Sequence, residues 1–172
     1  MRYVSVISGV VAALAFAATA SAGSVEDKAE VTVGGAELRE VDVAIDISEK
    51  TFHITKGGTE RGFTLMAGMP TVIQLRNRDL VAHEFVSTLF RDVPFRISGN
   101  ATLVKTARAS GVRLDSGQMV TLEFKAPVAK EDQNGAAESS YDVFWCNVHG
   151  KEHGQKMRGE LLIIETTGET GG

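Results

Sequence analysis

From Val41 the chain alternates. Val41, Val43, Ile45 and Ile47 are interleaved with Asp42, Ala44, Asp46 and Ser48. A period of two sends one set inward and the other to solvent, which predicts a half-buried β-strand. Phe52-His53-Ile54-Thr55 predicts a second short strand, closed by the turn Lys56-Gly57-Gly58. Further strands are predicted at residues 63–66, 71–77, 84–87, 119–124, 141–146 and 159–165, with Gly68 and Pro70 as punctuation between the first two. No segment carries a strong amphipathic helical period. About seven or eight short strands with turn residues between them predict an all-β fold, an antiparallel Greek-key sandwich or barrel. Residues 91–113 mix Pro94, Gly99, Asn100 and Gly111 with short apolar pairs. That stretch fits a long loop, a β-excursion, or one helical turn with strands around it. Residues 128–139 read as a polar connection.

The beginning of the chain follows another pattern. Met1-Arg2-Tyr3 carries one positive charge, Val4 to Ala20 is apolar, and Ala20-Ser21-Ala22 is a small-x-small site before Gly23. This is the layout of a secretory signal peptide over residues 1–22. The apolar run is short and Ala-rich for a membrane anchor. Residues 23–172 are then expected to form one domain, with a Gly- and Thr-rich tail frayed from about residue 166. The expected location is the periplasm or another exported compartment, with no membrane span after signal cleavage.

Charge removes one class of partner. Without residues 1–22 the chain holds 17 Lys and Arg against 22 Asp and Glu, a net −5, so nucleic acid is not an expected partner. Residues 91–113 run the other way, with Arg91, Arg96, Lys105, Arg108 and Arg113 against Asp92. That contrast suits either steering of an acidic partner or an ordinary solvated segment. The chain has one cysteine, Cys146, so no disulfide can form within it. In an exported protein a lone cysteine asks for another role.

The neighbours of Cys146 suggest one. Cys146, His149, His153 and Met157 fall within twelve residues, between an aromatic strand and the last strand. His83 adds a further nitrogen at the start of an upstream strand. Thiolate and thioether are soft donors that favour Cu(I), and imidazole suits both copper oxidation states. Taken singly, each residue has a plain structural explanation: a small buried thiol, a core methionine, a solvated imidazole. Together they point to one copper ion. Zinc would use Cys and His but has no need of Met157. A Cys–His nucleophile lacks an orienting third group, and a residue three positions away on a turn is poorly placed as its base. His53 falls on the outer side of its strand and reads as structural.

These residues carry a resemblance to the cupredoxins, the blue-copper family. Residues 75–79 leading to Ala82-His83-Glu84-Phe85 resemble the segment with the upstream copper histidine. Tyr141-Asp142-Val143-Phe144-Trp145-Cys146 resembles the strand ending in the copper cysteine, and Met157-Arg158-Gly159-Glu160-Leu161 resembles the axial methionine and final strand. The resemblance implies His83, Cys146, one loop histidine and Met157 as ligands of one Cu(I)/Cu(II) ion.

The loop departs from the family pattern. Cys146 to His149 has plastocyanin-like spacing, but Met157 then lies eight residues further on. His153 to Met157 has azurin-like spacing, but Cys146 to His153 is then longer than in azurin. If both histidines bind, the set resembles nitrosocyanin, which implies a carboxylate ligand as well. Glu84 adjoins His83, but on a strand it points away from its neighbour. The compact Cys-x2-His chelate favours His149 over His153. The resemblance implies an electron carrier that performs no bond-making chemistry and docks transiently with a redox partner, a cytochrome or an oxidoreductase. The alternatives are a copper carrier or buffer, and a nitrosocyanin-like site open to a small ligand.

Overall fold

The computed structural model describes residues 39–128, 130, 131, 133, 137–149 and 157–165. The predicted signal segment, the C-terminal tail and His153 lie outside the described residues. The alternation that begins the chain's regular part becomes β1 (Val43–Ser48), where Val43, Ile45 and Ile47 are buried and the residues between them are half-buried. There follow β2 (Thr51–Lys56), β3 (Gly58–Thr59), β4 (Gly62–Met66), β5 (Pro70–Asn77) and β6 (His83–Ser87). A single helical turn, α1 (Leu89–Asp92), leads to β7 (Phe95–Gly99), β8 (Thr102–Lys105), β9 (Ser110–Leu114) and β10 (Met119–Lys125). The chain continues through β11 (Lys130–Glu131), β12 (Ala137–Glu138), β13 (Ser140–Trp145) and β14 (Arg158–Ile164).

Two sheets form a β-sandwich. One has the order β2-β1-β5-β10-β7, the other β3-β4-β14-β13-β6-β9-β8, and β11 pairs with β12 as a separate ribbon. The inward residues of both sheets make one core, in which Ile45, Ile73, Leu75 and Leu122 meet Phe85, Leu114, Phe144 and Leu161. Aromatic rings bridge the layers. Phe52 of the first sheet lies edge-on to Phe85 and Phe144 of the second, at 5.8 and 5.5 Å between centroids.

The all-β class agrees with the pattern of the sequence, and two details correct it. The described residues contain fourteen strands, not seven or eight. The additional ones are short: β3, β11 and β12 have two residues each, β8 has four, and β7 and β9 have five. The sheets are mixed rather than antiparallel, because β1 runs parallel to β5 and β14 parallel to β4. Alternation records which side of a strand is buried and contains nothing about the direction of its neighbour. Residues 91–113 resolve into the third of the expected forms, a helical turn followed by strands.

Three adjacent strands of the second sheet define one end of the sandwich. β6 begins with His83, β13 ends one residue before Cys146, and β14 begins one residue after Met157. Trp145 pairs with Val86 on one side and Arg158 on the other. The Cys146 amide then donates to the Met157 carbonyl at 3.0 Å, which extends the ladder by one rung. Beneath this end, Gly159 lies opposite Phe144, and a Cβ at Gly159 would fall 2.2 Å from the ring. The glycine gives the ring its space, and the ring fills the core directly under the cysteine.

Candidate metal centre

The register of β6, β13 and β14 brings donors from distant parts of the chain to one point. One ligand atom each from His83, Cys146 and His149 lies within 4.8 Å of the others. His83 and Cys146 are completely buried, and His149 is half-buried. The two Nδ1 atoms face each other at 3.0 Å, and the Cys146 Sγ is 3.9 Å from the His149 Nδ1. Two imidazole nitrogens at that distance need a proton or a cation between their lone pairs. The Glu84 amide donates to the Cys146 Sγ at 3.4 Å.

Met157 is fully buried beside this group, with its main chain bonded to that of Cys146. Of the five residues expected at the site, the structure brings His83, Cys146 and His149 together and buries Met157 next to Cys146, while His153 is outside the described residues. Glu84 turns away from the centre: its Oε2 accepts from the Asn147 Nδ2 at 2.9 Å. Asn147 in turn accepts the Trp145 indole N–H at 2.7 Å through its Oδ1. That chain pins the turn after Cys146 to β6. His53 is exposed on β2, as its position in the alternation predicts.

Residues outside the predicted set complete the surroundings. Asp79 Oδ2 lies 2.8 Å from the His83 Nε2, and the same carboxylate accepts the amides of Glu49 at 2.7 Å and Lys50 at 2.9 Å. Burial raises the Asp79 pKa, but the Lys50 and Glu49 amides and the His83 ring together outweigh it, so the net direction is downward. Asn77 is fully buried; its Nδ2 donates to the carbonyls of Val81 and Leu114, and its Oδ1 accepts from the Asp79 amide. An aspartate four residues before His83 in a turn was the available sequence signal. Its partners on the β1–β2 turn gave none.

The donor chemistry fits a soft or borderline metal ion. A cysteine sulfur with two imidazoles, enclosed by an apolar core and with a thioether-bearing residue beside it, suits copper, and a hard cation would seek oxygen instead. Fold and site together define an all-β sandwich with a His–Cys–His centre at one end.

No protein-family model and no curated protein matches the chain. Among solved structures it is similar to a mutant of amicyanin with Cu(I), at 14% identity and a TM-score of 0.40, over 74% of this chain and 87% of that one. It is also similar to dithionite-reduced auracyanin from the photosynthetic bacterium Roseiflexus castenholzii, at 16% identity and a TM-score of 0.43, over 70% of this chain and 94% of that one. Amicyanin and auracyanin are cupredoxins.

Proposed function

We propose that the protein is an exported copper protein that carries single electrons, with one copper ion held by His83, Cys146 and His149 and completed by Met157. The observation that supports this most is the convergence of a buried thiol and two imidazole nitrogens within 4.8 Å at the ends of adjacent strands. When bound, copper supplies a one-electron couple between Cu(I) and Cu(II). The chain's own part is to hold the donors. His83 is fixed by β6 and Asp79, and Cys146 by the main-chain bond to Met157 and the Glu84 amide. Donors placed in advance rearrange little when the charge changes, and a dry core keeps water from competing for the metal.

His149 supports the route to a partner. It is half-buried, and the neighbouring Val148 is 42% exposed. An imidazole edge beside an apolar residue suits brief contact with a cytochrome or oxidoreductase, for which a small interface suffices. Export rests on the signal-like pattern of residues 1–22.

The test is spectroscopic. Cu(II)-loaded protein is expected to show an intense visible thiolate-to-copper band that Cys146→Ser abolishes. A colourless Cu(II)-loaded protein would falsify the thiolate site. Reversible reduction without transfer of copper to a metal-free acceptor is the expected behaviour of an electron carrier. Ready transfer would instead identify a copper carrier.

A further inference from the structure

Asp79 is held more firmly than an ordinary turn residue. Its Oδ1 accepts the Glu49 amide, and its Oδ2 accepts the Lys50 amide and faces the His83 Nε2. Main-chain amides can only donate, so both carboxylate oxygens act as acceptors. An ionised carboxylate can only accept, so with Asp79 ionised the proton between Oδ2 and Nε2 sits on the imidazole. His83 is completely buried, so water does not compete for that nitrogen. With the proton on Nε2, the His83 Nδ1 is left with a bare lone pair aimed at Cys146 and His149.

The turn that supplies the two amides is itself unusual. Glu49 and Lys50 both adopt left-handed backbone conformations, at φ 53° and 52°. Hairpin turns of this kind favour Asn and Gly, and side chains such as these disfavour the conformation. Here it points two successive amides at one carboxylate. From the other side the buried Asn77 accepts the Asp79 amide and ties the turn before β6 to Val81 and Leu114. The carboxylate is thus fixed against His83 by two separate parts of the chain.

We infer that Asp79 is a positioning residue of the metal centre, which sets the His83 tautomer and, through the ring, lends negative charge that favours Cu(II) over Cu(I). This rests on the copper reading above. A carboxylate behind a ligating histidine orients the ring and makes it a stronger donor, and removing such a partner lowers metal affinity by roughly 10- to 100-fold. The more highly charged ion loses more.

The experiment uses Asp79→Asn, which keeps the shape of the side chain and one acceptor. The variant is expected to bind copper and retain the thiolate band. Its preference for Cu(II) over Cu(I) is expected to fall about tenfold, a rise in reduction potential of about 59 mV for a one-electron couple. A purely structural role would leave the potential where it is. A variant that keeps the band at the wild-type potential overturns the inference.

The metal-free protein supplies a second readout. Nitrogen–proton correlation spectra of wild type are expected to show His83 protonated at Nε2 alone, and those of Asp79→Asn a mixture of tautomers. A wild-type His83 protonated at Nδ1 overturns the inference, even if the variant fails to fold. Loss of the copper reading has a separate signature: wild type without a thiolate band, whatever its tautomer.

Discussion

His83 and His149 meet with their Nδ1 atoms 3.0 Å apart, but they reach that point by different means. His83 is the first residue of a central strand, is buried on every side, and has its far nitrogen on a carboxylate. His149 stands on a turn three residues after Cys146, is half-buried, and depends on a loop pinned through Asn147 to Glu84. One half of the site is built by sheet register and the core beneath it. The other is built by a local turn at the solvent boundary. A centre that must be both rigid and reachable gains from this division, since precision comes from strands and access from loops.

The comparison breaks most readily at its foundation. Phe144 contacts the rings of Phe52, Phe63 and Phe85 and lies over Gly159. Phe144→Ala is expected to cost about 3–5 kcal/mol, the usual range for a buried phenylalanine. Chemical denaturation measures it directly. Because the cavity opens under Cys146, the copper band of any folded fraction should weaken as well. A cost below about 1 kcal/mol would mean that the strand half of the site does not rest on this core.

A smaller effect is expected at Asn77. Its carboxamide meets two carbonyls and one amide at the turn before His83. Asn77→Ala leaves those groups without their partners, at an expected cost of about 1–3 kcal/mol. Proton exchange at the His83 ring should quicken, as the turn that carries Asp79 loosens. On the other half, Asn147→Ala removes an exposed link between Trp145 and Glu84. The expected cost is about 0.5–1 kcal/mol, within the net range for a single hydrogen bond. The ordering of the two costs is itself the check: if Asn147→Ala proves the more damaging, the turn half is the structural one.

Much of the strand half was legible in the sequence. The alternation of Val43, Ile45 and Ile47 placed β1 inward, and the order of His83, aromatic strand, Cys146 and Met157 pointed to one metal site. Periodicity reports local burial, so it found β1, β2, β4, β5, β6, β10, β13 and β14, left β7, β8 and β9 undecided within residues 91–113, and missed β3 and the β11–β12 ribbon. It also could not show that β1 and β5 run parallel. Asp79 was hidden for a related reason. Its role depends on the amides of Glu49 and Lys50, which lie 30 and 29 residues away in sequence. Neither residue type announces a left-handed turn, so the contact exists only after the fold has formed.

The smallest expected change in stability distinguishes the two histidines most sharply. His149→Ala shortens a half-buried side chain at a turn, and surface substitutions of that kind usually stay within about 0.5 kcal/mol. On the proposed copper reading, the visible band of the copper form should nevertheless be lost or strongly altered, because one of the three grouped donors is gone. The gap left at a solvent-facing position can admit a free imidazole, so adding imidazole to His149→Ala should restore much of the band. His83→Ala differs on both counts. It leaves a cavity sealed from solvent and an aspartate whose imidazole partner has been removed, so stability should fall and added imidazole should not repair the spectrum. If both variants are rescued alike, the buried half of the site is more open than its packing implies. If neither is rescued and both are destabilised equally, His149 belongs to the scaffold, and access to the metal lies elsewhere in the loop.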